Sequence, residues 1–201
     1  MAMSRQLSLD GFAEPPARRS SLFFALRPDA AAAARAEALA QQLAPQAGVS
    51  ARADRTARFH VTLFHVGHFV GDIPAVTLAM ARQTAQALQA APFEVRFDRV
   101  ATFSGKPGNL PLVLRGAEPC EGLMRFQARL DDALLRAGLC HGERHAQFTP
   151  HLTLLYARHA VPEQAIEPIA WQADRLVLYR SLIGEGRYIE EGLWPLEPSR
   201  P

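Results

Sequence analysis

Phe59-His60-Val61-Thr62-Leu63 and Pro150-His151-Leu152-Thr153-Leu154 decide the reading of this chain, because both spell His, apolar, Thr, Leu. Seven histidines and seven threonines in 201 residues would place a Thr two positions after a His about 0.24 times by chance. It happens twice. The copies stand 151 − 60 = 91 positions apart, close to half the chain, so they predict two similar lobes contributing one copy each. Successive side chains of a strand point to opposite faces, so His60 and Thr62 share one face while Val61 and Leu63 take the other. Each copy thus presents an imidazole and a hydroxyl to one side and anchors itself with two apolar residues.

Working outward, Phe59 to Val66 and His151 to Tyr156 read as strands. Ser21-Leu22-Phe23-Phe24-Ala25-Leu26 is an apolar run suited to a buried strand, and Asp29 then caps an Ala-rich helix to Leu43, stopped by Pro45. Pro74 to Ala91 is an amphipathic helix with proline in its first turn. Phe93 to Val100 alternates apolar with polar, a half-exposed strand, and the turn-rich Ser104 to Asn109 leads to a strand over Pro111 to Arg115. Leu123, Phe126, Leu130, Leu134 and Leu135 give Pro119 to Ala137 a helical stripe, ended by Gly138. A polar loop runs through Gln147. A short helix near Pro162 to Ile166 and two closing strands, Trp171 to Leu182 and Arg187 to Leu193, complete the reading. Hairpin-like strand pairs with irregularly placed helices predict an α+β fold with a mainly antiparallel sheet system.

Composition is that of one globular domain or two small lobes sharing a core: 48% hydrophobic, 21% charged, 8% aromatic, net charge +2. A chain of this length buries enough surface to need no disulfide or metal staple. Cys120 and Cys140 have no ligand-like spacing, which points to a reducing compartment. The absence of an apolar run approaching ~20 residues and of a signal-peptide core argues against a membrane and for the cytoplasm. A pI near 8.8 is a weak pointer to nucleic acid at so small a net charge. All but one of the 22 basic residues are Arg, the exception being Lys106. Residues 1–19 read as a disordered tail. Within it Gln6-Leu7-Ser8-Leu9-Asp10-Gly11-Phe12 resembles the peptides that dock on the bacterial DNA sliding clamp, with the aromatic one residue late.

Two imidazoles facing one small group supply what phosphodiester cleavage needs without a metal: one accepts a proton from the attacking oxygen, the other gives one to the leaving oxygen. Threonine hydroxyls can hydrogen-bond the non-bridging phosphate oxygens, where charge sits in the transition state.

The paired signature resembles that of the two-histidine phosphoesterase superfamily, and in detail the RNA 2′,3′-cyclic phosphodiesterase or 2′-5′ RNA ligase family, over residues 21 to 194. The resemblance implies a bilobal fold with pseudo-twofold symmetry, antiparallel sheets lining a central cleft and helices outside. It implies hydrolysis of an RNA-terminal 2′,3′-cyclic phosphate to a 2′-phosphate, with a reversible ATP-independent 2′-5′ joining activity. The chain itself is expected to need no cofactor and to act as a monomer. It makes His60 the proton donor to the leaving 3′-oxygen and His151 the acceptor that activates water, with Thr62 and Thr153 on the phosphate. The family often carries an aromatic five places after the first His and an Arg five places after the second. Here those positions hold His65 and Tyr156, which makes Phe64, Tyr156 and Arg158 the candidate substrate-binding residues. Arg58 and Lys106 are further cations of interest, and His60, His65 and His68 are the alternative metal cluster. His141, His145 and His159 read as surface residues. An RNA-binding module without turnover, or a phosphodiesterase for a small cyclic nucleotide, would use the same cleft.

Overall fold

Ser20 to Leu26 are all buried, as a run apolar on both faces requires, and they lie in β1 (Arg19–Leu26) at the heart of an eight-stranded sheet. The computed structural model describes residues 18–50, 56–139 and 148–197. After β1 come α1 (Ala30–Leu43), β2 (Val61–Val70), α2 (Ala75–Ala87), β3 (Phe93–Thr102), β4 (Leu110–Arg115), α3 (Glu121–Arg136), β5 (Leu152–Ala157), β6 (Gln164–Ala173), β7 (Arg175–Leu182) and β8 (Arg187–Pro195). Asp29 caps α1 as its sequence demands, its Oδ1 accepting from the Ala32 N–H at 2.7 Å. Leu123, Phe126, Leu130 and Leu134 form the buried stripe of α3.

The strand order is β6-β3-β4-β5-β2-β1-β7-β8, with antiparallel neighbours throughout. Between β5 and β2 the pairing is confined to Val61 with Leu152. The sheet is therefore two four-stranded halves, β2-β1-β7-β8 and β5-β4-β3-β6, each presenting at the seam the strand that follows one His. Within the halves, β1-α1-β2 and β4-α3-β5 repeat one strand-helix-strand plan. The main core gathers Ala32, Ala36 and Ala40 of α1, Ala81 and Ala85 of α2 and the α3 stripe against Val61, Leu152, Phe24 and Phe97, so helices cover one face of the sheet. The opposite face carries a smaller cluster of Phe23, Ala25, Val177 and Tyr179, with Tyr188 against it.

Four expectations are corrected. Pro162 to Ile166 does not form a helix: Gln164 and Ala165 pair with Val100 and Arg99, and sheet pairing overrides the helix signal of Pro162. Pro168 is tolerated there because β6 is an edge strand, and it sits where the register shifts opposite Phe97 to Arg99. The stretch Trp171 to Leu182 is two strands: the chain leaves the outer edge of one half at Ala173, turns at Asp174, a poor strand former, and enters the other half at Arg175. Arg18 and Arg19 belong to the sheet, since Arg19 pairs with Val70 and the Arg18 carbonyl accepts from Gly71 at 2.7 Å; the rest of the tail, including the clamp-like residues 6–12, lies outside the described residues, as do Cys140, His141 and His145. Finally, α2 stops at Ala87, four residues before the expected end.

Candidate active site

Val61 and Leu152 form the seam pair and both are fully buried on the helix-covered face. Their neighbours point the other way, so His60, Thr62, His151 and Thr153 all emerge on the uncovered face. All four are half-buried. The register of the seam sets His60 beside Thr153 and Thr62 beside His151, crossing the two copies over the pseudo-twofold axis.

The same local device holds both rings. His60 Nδ1 lies 2.7 Å from the Arg58 carbonyl and His151 Nδ1 lies 2.8 Å from the Thr149 carbonyl, each two residues upstream. A carbonyl only accepts, so Nδ1 carries the proton in both rings and Nε2 remains for the cleft. A neutral ring then offers Nε2 as a base and a charged ring offers it as an acid. Neither threonine hydroxyl is engaged by another described residue, which keeps both open to a ligand.

Beyond the threonines each strand departs from simple alternation. Ala25 pairs with Thr62 and Phe24 with Phe64, leaving Leu63 as an extra residue; Val113 pairs with Thr153 and Leu112 with Leu155, leaving Leu154 as its counterpart. A β-bulge thus follows the Thr in both copies and resets which face the next residues take. Phe64 is turned into the main core with 7% exposure, which removes it as a cleft residue. His65, paired with Phe23, takes the cleft face instead. In the other half Leu155 is buried and Tyr156 emerges, 49% exposed.

Ring contacts differ between the halves. His60 lies 5.1 Å from Phe23, 5.4 Å from Tyr188 and 6.5 Å from Tyr179, whereas His151 has Phe103 at 5.0 Å. Burial against this wall lowers the pKa of His60; the hydrogen bond to the Arg58 carbonyl works against that, and the charges of His151 and Arg58 reinforce it. Burial raises the Tyr179 phenol, with the Arg27 guanidinium beside it pulling the other way.

His65 Nε2 meets Ser21 Oγ at 2.7 Å and its ring is 4.4 Å from that of His68. Among the described residues no three His, Cys, Asp or Glu side chains could hold a metal, so His60, His65 and His68 do not assemble as one. Arg158, exposed after β5, lines a 680 Å³ cavity with Glu37, Gln41, Ser50 and Tyr156 on the α1 side, and neither catalytic candidate reaches that cavity. Lys106 lies in the β3–β4 loop, bridged to Asn109. His159 is exposed and packs its ring against Gly48.

Sequence reasoning missed the aromatic wall and the two orienting carbonyls. The wall had a trace in Leu176 to Tyr179, apolar on both faces although near the end of the sheet. A backbone carbonyl leaves no trace in residue identity.

A family model described as the 2′-5′ RNA ligase superfamily matches residues 58–184, more than half of the chain. Among solved structures, a phosphoesterase is 24% identical with a TM-score of 0.68, over 90% of this chain and 99% of its own. LigT of E. coli in complex with 3′-AMP is 25% identical with a TM-score of 0.65, over 90% and 99%. TT0787 of Thermus thermophilus is 20% identical with a TM-score of 0.65, over 90% and 100%. No curated protein matches the sequence.

Proposed function

Because the chain belongs to the 2′-5′ RNA ligase superfamily, we propose that it hydrolyses RNA-terminal 2′,3′-cyclic phosphate to a 2′-phosphomonoester, with His60 and His151 as the proton-transfer pair. The observation that carries this reading is the matched tautomer: two imidazoles on one face, each with Nδ1 tied to the carbonyl two residues before it. Simple binding has no use for two such groups. The E. coli LigT structures with 3′-AMP and with phosphate add that a protein of this fold takes a nucleoside monophosphate and inorganic phosphate.

In the proposed step water attacks phosphorus and gives its proton to His151 Nε2. The P–O3′ bond breaks, and the departing 3′-oxygen takes the proton of His60 Nε2, leaving phosphate on the 2′-oxygen. Thr62 and Thr153 hydrogen-bond the non-bridging oxygens, where negative charge grows. A 5′-hydroxyl in place of water gives the 2′-5′ linkage by the same proton transfers, which makes joining and hydrolysis alternatives of one site. The pair works while it holds one transferable proton between the two rings.

The test is product analysis on a short RNA ending in 2′,3′-cyclic phosphate, alongside a nucleoside 2′,3′-cyclic phosphate. The expected product is the 2′-phosphomonoester, formed by the wild type and lost in His60→Ala and His151→Ala. An exclusive 3′-phosphate product, or turnover undiminished in both variants, would overturn the reading. Turnover of the nucleoside alone would reassign the substrate to a small cyclic nucleotide.

A further inference from the structure

Arg58 has a place that the two histidines leave unexplained. Its carbonyl orients His60, while its guanidinium turns back over the cleft face and stacks on Tyr188, with the guanidinium carbon 5.3 Å from the ring centroid. The same ring stands 5.4 Å from His60. One tyrosine therefore carries the cation and the imidazole together. Gly186 approaches the guanidinium from the β7–β8 turn: a Cβ there would sit 3.6 Å from Arg58 Nη1.

The guanidinium has no carboxylate partner among the described residues. The contrast is with Arg82 and Arg180, which grip Glu191 at 2.8 and 2.7 Å on the same half of the sheet. Unpaired cations lose interaction energy unless water or a ligand anion supplies it, and a planar guanidinium offers paired N–H donors at phosphate spacing. In the other half Thr149 stands two residues before His151, where Arg58 stands before His60.

We propose that Arg58 is an anion-binding residue of the cleft, holding a non-bridging oxygen of the reacting phosphodiester beside His60, with Tyr188 as the platform that fixes its guanidinium. This rests on the phosphodiesterase reading for its substrate, and on the Arg58–Tyr188–His60 arrangement for its site. A bound phosphate would cancel the positive charge that Arg58 places beside His60, and would favour the protonated ring that a donor requires.

The experiment uses the full chain and two readouts: the Kd of inorganic phosphate by calorimetry, and KM and kcat on a nucleoside 2′,3′-cyclic phosphate. Arg58→Gln should weaken phosphate about 10–100-fold and raise KM by a similar factor, the range of a charge-assisted hydrogen bond. Arg58→Lys, which keeps the charge and loses the fork, should recover part of both. Arg125→Gln removes the same charge from the exposed face of α3 and should change neither. Tyr188→Leu should fall between Arg58→Gln and the wild type, because the charge stays and its platform goes. Unchanged phosphate Kd and KM in Arg58→Gln, with His151→Ala inactive, would overturn the assignment and leave the phosphodiesterase reading standing. A wild type that binds phosphate through Arg58 but turns over no cyclic phosphate would keep the anion site and overturn that reading. Equal effects from Arg125→Gln would reduce Arg58 to a contribution to net charge and overturn it as a site.

Discussion

Replacing the 3′-bridging oxygen of a nucleoside 2′,3′-cyclic phosphate by sulfur separates the roles of the two histidines, because a thiolate departs without a proton and an alkoxide does not. Both rings present Nε2 to the cleft from the same tautomer, so geometry alone allows either to be the donor, and the leaving group decides. A positioned acid or base contributes about 10²–10⁴ in rate, which is about 2.7–5.4 kcal/mol at 1.36 kcal/mol per tenfold. On the oxygen substrate His60→Ala and His151→Ala should each lose that much kcat. On the sulfur substrate His60→Ala should come within about tenfold of the wild type, while His151→Ala keeps its full loss, since water must still be deprotonated. The pH profile adds a second arm. An unperturbed imidazole is protonated in about 24% of molecules at pH 7, and His60, lowered by burial and by the charges of His151 and Arg58, is protonated in fewer. With His60 as donor, kcat/KM on the oxygen substrate should fall about tenfold per unit on the alkaline side, and sulfur should abolish that limb. Initial rates of thiol release and of phosphomonoester formation over pH 5–9 provide the data. Rescue of His151→Ala by sulfur would exchange the two roles, and rescue of neither would remove both rings as the donor to the leaving oxygen.

Three further outcomes follow from the same geometry. Since His60 is depressed in the folded protein, the unfolded chain takes up its proton first; the stability tied to this group is fully present above pH ~6.5 and lost as pH falls through the folded value, so urea unfolding at pH 7.5 and 5.5 should show a smaller acid loss in His60→Gln than in the wild type. Thr62→Val and Thr153→Val should lower kcat by about 10–10³, less than the His changes, because they delete hydrogen bonds and no proton carrier; a Val variant as inactive as the corresponding His→Ala would refute that division. The bulges predict a split between Phe64→Ala, which should cost about 3–5 kcal/mol of stability as a core deletion with KM unchanged, and Tyr156→Ala, which should leave the melting temperature near that of the wild type and raise KM; the opposite pattern would mean that simple alternation holds after all.

The shared face of His and Thr was legible because both copies of the His-apolar-Thr-Leu segment obey the two-residue period up to the Thr, whereas the pairing of Val61 with Leu152 that joins the two strands in one sheet was not foreseen. The helix stripes and the cap at Asp29 were legible for the same reason, each being a local signal that the tertiary structure does not contradict. The segment after Val161 was not. Pro162 reads as a helix start in isolation, and only pairing with Val100 and Arg99, about sixty residues earlier, makes Gln164 and Ala165 a strand. The aromatic wall was hidden in the same way: Phe23, Tyr179 and Tyr188 come from three strands, and their meeting around His60 depends on the order β2-β1-β7-β8, which no spacing announces.

The bulges show how a small departure from a period changes a site. Strict alternation from His60 makes the next cleft residues Thr62 and then position 64, and from His151 Thr153 and then position 155. The extra residue in each strand moves the outward position one place on, to His65 and Tyr156, the latter at the cavity beside α1. Its trace in the sequence is the apolar doublet, Leu63-Phe64 in one copy and Leu154-Leu155 in the other. A half-exposed strand has no reason to spend two consecutive large apolar residues unless both go inward, and both pairs do, with exposures from 1% to 7%. The duplication therefore extends past the four residues that first reveal it, through the doublet to the position after it. There the halves diverge, one ending in an imidazole beside Ser21 and the other in an exposed phenol. On the proposed reading, proton transfer needs the halves to match as far as the Thr, and a substrate with distinct leaving and attacking sides needs them to differ beyond it, as they do at His65 and Tyr156 and in Arg58 standing where the other copy has Thr149.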